Sequence, residues 1–143
     1  MRRLEVVKEF RFEAAHVLPN HPGKCSKLHG HSWLLRVGVV GKVNPDTGFV
    51  MDYIDLKKMV QPLIDLWDHS YLGAERILHG PCEDSIEPSF GGYPSSENLV
   101  EHVVVYMQSA LAALPSGGDA MSLPQLSLVE IEETCTSRCT WRP

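Results

Sequence analysis

Residues 4–16 read LEVVKEFRFEAAH, and this stretch decides the fold. Leu4, Val6, Phe10, Phe12, Ala14 and His16 fall on one parity, whereas Glu5, Arg11 and Glu13 fall on the other. Side chains that alternate between two faces describe a half-buried strand, and this one ends in a histidine. A second β-rich run goes from His29 to Val43, where Trp33, Leu35, Val37 and Val39 share the parity of His29 and His31. Two such runs joined by a loop predict an antiparallel pair.

Beyond the turn-rich Asn44-Pro45-Asp46-Thr47-Gly48 the period changes. Leu56, Met59, Val60, Leu63, Ile64 and Trp67 recur at helical spacing, which predicts a helix over 53–67 with Asp52 as N-cap and Asp55 in its first turn. Pro62 removes one backbone hydrogen bond inside it, so a kink or local tightening is expected there. Residues 73–94 hold Gly73, Gly80, Pro81, Pro88, Gly91, Gly92 and Pro94 and read as a long loop. Ser95 or Ser96 then caps a second helix whose Val100, Val103, Val104, Met107, Leu111 and Leu114 form a stripe, closed by Pro115 and Gly117-Gly118. The tail alternates again: Val129, Ile131 and Glu133 lie on one side, Glu130 and Glu132 on the other, before a final segment to Trp141. This order predicts an α+β domain, an antiparallel four-stranded sheet with two helices on one face. Open edge strands of such a sheet invite covering by other subunits, so a ring-like oligomer is expected.

The 143 residues suit one domain spanning 1–143, with 43% hydrophobic and 22% charged residues. A net charge of −5 without a basic run argues against nucleic acid as a partner. The opening MRRLEVVKEFRFEAAH carries charges every few residues, which fits neither a secretory signal nor a membrane span, so the expected location is cytoplasmic. Cys25, Cys82, Cys135 and Cys139 form no C-x-x-C pair and read as reduced thiols.

The chemistry concentrates in C-S-K-L-H-G-H, residues 25–31. His29 and His31 are two apart, so a strand points both imidazoles to one side, and His16 at the end of the neighbouring strand can supply a third. Three neutral histidines on rigid strands suit Zn²⁺ and leave a fourth position for water or substrate. The spacing of Cys25 from His29 allows either a fourth ligand, closing the shell, or a thiol held beside the metal. Asp68-His69 follows the first helix directly and could orient an imidazole for proton transfer. Glu133 sits on an apolar parity, where a carboxylate is costly unless something pairs with it; the N–H donors of a ligand are a natural partner. Lys24 and Lys27 flank the thiol, a setting that lowers a cysteine pKa and attracts a phosphorylated substrate.

Six motifs in order carry a resemblance: F-x-A-A-H at 12–16, C-x-x-x-H-G-H at 25–31, G-F-V-M-D-Y at 48–53, D-H-S-Y-L at 68–72, P-S-S-E-N at 94–98 and E-T-C-T-S-R-C at 133–139. Together they resemble the 6-pyruvoyl-tetrahydropterin synthase and 6-carboxytetrahydropterin synthase family, most closely its bacterial queuosine-pathway carboxy-synthase branch. The resemblance implies the tunnelling fold, with sheets of several subunits forming a barrel, commonly a homohexamer, and active sites at subunit interfaces. It implies that His16, His29 and His31 hold zinc, that Cys25 is the general base, and that Asp68 and His69 relay protons. Glu133 would anchor the pterin ring, helped by Ser95, Ser96 and Glu97. The activity so implied is that of a lyase acting on 7,8-dihydroneopterin triphosphate. The alternatives are a 6-pyruvoyl-tetrahydropterin synthase and a non-catalytic, zinc-stabilised pterin or purine binder.

Overall fold

The computed structural model describes residues 2–73, 77–80, 83–85, 93–115 and 123–143. Strand β1 (Arg3–His16) and strand β2 (His29–Lys42) run antiparallel, in the register Phe10↔Leu35, Phe12↔Trp33, Ala14↔His31 and His16↔His29. Direct partners in such a pair project to the same face. The register therefore continues one apolar face, residue by residue, into a cluster of imidazoles.

Helix α1 (Tyr53–Trp67) begins where the sequence predicts, with the Asp52 carboxylate accepting from the Ile54 N–H at 2.8 Å, and it runs through Pro62. Short strands β3 (Ser70–Leu72), β4 (Ile77–Gly80) and β5 (Glu83–Ser85) follow. Helix α2 (Ser96–Ala112) is capped by Ser95, and β6 (Gln125–Thr134) and β7 (Ser137–Trp141) finish the chain.

The four-stranded antiparallel sheet is present as β1, β2, β6 and β7, but it is extended at the β1 edge. The whole has seven strands in the order β5-β4-β3-β1-β2-β6-β7. β3 joins β1 in parallel, Ala14↔Ser70 to His16↔Leu72. Strands of four and three residues, punctuated by Gly80 and Pro81, are too short for alternation to stand out, so 73–94 reads as loop although β4 and β5 lie within it. The remainder of that reading, at 74–76, 81–82 and 86–92, lies outside the described residues, as do Gly117 and Gly118.

Both helices lie on one face, α1 against β1 and β3, α2 against β6 and β7. Between helices and sheet, Phe12 stacks on Trp33 with centroids 5.8 Å apart and meets Trp67 at 5.4 Å. All three side chains are buried, and Phe12→Ala here would cost about 3–5 kcal/mol. On the opposite face the alternation leaves charge: Arg36 donates to Glu9 at 2.9 Å, to Glu130 at 2.6 Å and to Glu132 at 3.0 Å. Those carboxylates push its pKa up. Among the described residues, no helix is long and apolar enough to cross a membrane.

Candidate metal centre

His16 is fully buried, and its ring lies 4.5 Å from that of His29 and 5.1 Å from that of His31, centroid to centroid. One candidate ligand atom from each of the three lies within 4.8 Å of the others. Trp33 floors the cluster, edge-on to His16 at 5.0 Å and to His31 at 5.2 Å, and its Nε1–H donates to the Ala14 carbonyl at 3.1 Å. The indole is thus held still by the strand that carries His16.

Two backbone carbonyls fix the tautomers. His16 Nδ1 lies 2.8 Å from the Pro94 oxygen and His29 Nδ1 2.7 Å from the Lys27 oxygen. A carbonyl only accepts, so each neutral ring carries its proton on Nδ1 and turns the Nε2 lone pair inward. The Nε2 atoms of His16, His29 and His31 are all buried without a hydrogen-bond partner. Orphaned buried acceptors are costly, and a set of three facing one another is the donor arrangement that a divalent cation satisfies. Burial is also the main reason that the pKa values of His16 and His31 fall below the ordinary imidazole value, which favours the neutral, ligating form.

Glu133 joins the cluster: its Oε1 is 3.3 Å from His16 Nε2 and 3.4 Å from His31 Nε2. The apolar parity of this carboxylate in the sequence is therefore resolved by contact with imidazoles. Cys25 lies in a single 3₁₀ turn, Lys24–Ser26, as a half-buried free thiol. Its carbonyl accepts from the Leu18 N–H at 2.9 Å, which ties the turn back to the His16 end of β1. The cysteine sulfur is not in the group of mutually close ligand atoms. Cys82 lies outside the described residues.

Asp68 and His69 are positioned separately. Asp68 Oδ1 accepts from the Glu13 N–H at 2.8 Å, the His69 N–H donates to the Glu13 carbonyl at 2.6 Å, and Asp68 Oδ2 is 3.0 Å from His69 Nδ1. Glu13 is three residues, about 10 Å, along β1 from His16, and the His69 side chain is 79% exposed. His69 also has φ 56°, a left-handed conformation uncommon outside glycine and found where surrounding structure holds it in place. Here the two bonds to Glu13 and the start of β3 hold it.

The Ser95 hydroxyl accepts from the Asn98 N–H at 3.3 Å as the cap of α2. Ser96 Oγ is 3.2 Å from Glu97 Oε2, and Glu97 and Lys27 are exposed. The Pro94 bond to His16 places this segment beside the centre. Sequence reasoning gives no role to the carbonyls of Pro94 and Lys27, because backbone carbonyls have no signature in side-chain patterns. Tyr93, which accepts from the Asn20 amide and lines with it and Ser95 a cleft of about 310 Å³, is not singled out by the sequence because its partner lies 73 residues away.

Fold and centre define a class: an α+β protein whose long antiparallel strands end in a three-histidine cluster competent to take a metal. The sequence matches the 6-pyruvoyl tetrahydropterin synthase family over residues 5–143, and the chain belongs to this family of tunnelling-fold enzymes. A 6-carboxy-5,6,7,8-tetrahydropterin synthase from Synechocystis sp. is 36% identical over 137 residues, covering 92% of this chain and 88% of that protein. The protein of the same name from Bacillus subtilis is 29% identical over 140 residues, covering 97% and 85%. The structure of 6-pyruvoyl tetrahydropterin synthase from Caenorhabditis elegans matches with a TM-score of 0.75 at 24% identity, over 100% of this chain and 97% of that one; this is a likeness of fold.

Proposed function

We propose that the chain is a zinc-dependent 6-carboxy-5,6,7,8-tetrahydropterin synthase, a lyase that converts 7,8-dihydroneopterin triphosphate to 6-carboxytetrahydropterin with release of acetaldehyde and triphosphate. The observation that carries this reading is the trio of buried Nε2 atoms with Cys25 close in the chain but outside the ligand group. The names of the two relatives point to the same reaction. The reaction belongs to queuosine and 7-deazapurine biosynthesis, and the expected setting is the cytoplasm.

In this reading His16, His29 and His31 hold the ion, which when bound supplies Lewis acidity at the side-chain hydroxyls of the substrate and the adjoining carbons. Cys25 takes a proton from the side chain as general base. His69, oriented by Asp68 at 3.0 Å, moves protons on and off. Glu133 accepts hydrogen bonds from the pterin ring, the segment Ser95, Ser96 and Glu97 borders it, and Lys27 faces the triphosphate. Because Asp68 and His69 stand away from the histidine trio along β1, the proton relay of one subunit serves the centre of a neighbour, within a homo-oligomer expected to be a hexamer.

The test is incubation of the zinc-loaded protein with 7,8-dihydroneopterin triphosphate and assay of acetaldehyde. Acetaldehyde in step with triphosphate supports the reading. Triphosphate without acetaldehyde identifies a 6-pyruvoyl-tetrahydropterin synthase, and stoichiometric binding without product identifies a pterin binder.

A further inference from the structure

The contacts of Glu133 with the two imidazoles are not explained by hydrogen bonding. Pro94 fixes the His16 proton on Nδ1, so Nε2 offers a lone pair, and the Glu133 oxygen 3.3 Å away offers another. Acceptor faces acceptor. The His31 Nε2, 3.4 Å from the same oxygen, likewise makes no hydrogen bond. Both distances exceed the usual span of a hydrogen bond between nitrogen and oxygen, about 2.7–3.2 Å. They match a different quantity. Nitrogen and oxygen ligands about 2.0–2.1 Å from one tetrahedral ion stand about 3.3–3.4 Å apart. A carboxylate with 25% exposure that contacts two of the three imidazoles, His16 and His31, thus has toward these two the spacing of a fellow ligand.

We infer that Glu133 is the fourth protein ligand of the resting centre, which is closed as three histidines and one carboxylate until a substrate draws the carboxylate away. The inference rests on the proposed function for the identity of that substrate. The pterin ring presents N–H donors, so it offers Glu133 the hydrogen bonds that compensate for leaving the ion. One side chain then has two alternative partners, and the ligand position opens only when a pterin is seated. This limits adventitious ligands at an otherwise open centre.

The experiment uses the full chain loaded with Co²⁺, whose visible absorption reports ligand number, and compares wild type, Glu133→Gln, Glu132→Gln and His16→Ala. The probe is free imidazole, a neutral ligand, so that removal of a negative charge does not by itself attract it. Expected is a wild-type spectrum insensitive to millimolar imidazole, a Glu133→Gln spectrum that shifts on the same titration, and at least about tenfold weaker Co²⁺ binding by Glu133→Gln. Glu132→Gln, on the opposite face, behaves as wild type, and matched melting curves of the metal-free proteins check that the variants fold. Equal imidazole sensitivity of wild type and Glu133→Gln overturns the inference while leaving a three-histidine metal centre in place. Failure of wild type to bind Co²⁺ more tightly than His16→Ala overturns both the inference and the metal centre. The acetaldehyde assay tests the reaction independently of either result.

Discussion

Nδ1 of His16 lies 2.8 Å from the carbonyl oxygen of Pro94, so the deepest imidazole of the centre is tied to the residue just before the cap of α2. The same bond that fixes the ligating tautomer also fastens a helix to the sheet. The metal-competent geometry of the cluster and the stability of the fold are therefore coupled at His16 more strongly than at His29, which is only half-buried.

Removing His16 and removing His29 should accordingly differ in the metal-free protein. His16→Ala leaves a cavity and a buried carbonyl without its donor, a loss of about 2–4 kcal/mol. His29→Ala, near the surface, should stay within about 1 kcal/mol of wild type. Urea unfolding in chelator measures both, and both variants should lose tight zinc binding. Equal destabilisation would mean that the Pro94 bond does not anchor α2.

Cys25→Ala should keep stoichiometric zinc and lose turnover by at least about 100-fold, the scale of a missing general base. The sulfur lies outside the group of close ligand atoms, so the metal has no reason to leave with it. Metal analysis beside the acetaldehyde assay checks this. A variant that sheds its zinc would make the thiol a ligand.

Asp68 offers a test by pH. The N–H of Glu13, and after it His69, hold this carboxyl below its ordinary value of 3.8. An aspartate with a lowered folded pKa contributes stability that is complete above its unfolded pKa and is lost as pH falls through the folded value. Asp68→Asn removes that contribution. The gap in melting temperature between wild type and Asp68→Asn should be widest above the ordinary carboxyl value of 3.8 and should close as the pH falls well below it. A gap independent of pH would show that the contact acts only by shape.

What the sequence disclosed and what it hid follow from the reach of each signal. Alternation over 4–16 and 29–43 is long enough to define two strands, and parity alone puts His16, His29 and His31 on one face; the register His16↔His29 is the geometric expression of that parity. The α1 boundaries follow from Asp52 and the helical period. β3 is different, since its three residues are set by the bonds from Asp68 and His69 to Glu13, contacts between segments 55 residues apart that leave no local pattern. The Arg36 network with Glu9, Glu130 and Glu132 is equally invisible, because it needs the lateral order of β1, β2 and β6. Glu133 lies between these cases. Its anomalous parity marks it, but its neighbours become known only once β6 is laid beside β2.

The separation of His69 from the histidine trio leads to a prediction about assembly. If one subunit supplies Cys25 and its neighbour supplies Asp68 and His69, then Cys25→Ala and His69→Ala, each inactive alone, should restore one another when unfolded together and reassembled. With random mixing, a given centre receives an intact Cys25 in half of cases and an intact His69 in half, so activity should recover to about one quarter of wild type. Should both groups serve the same centre from a single chain, no mixed centre would hold the complete set and activity would stay at the level of the single variants. Assay of acetaldehyde across a series of mixing ratios distinguishes the two, because only the shared-site arrangement gives a maximum at equal proportions.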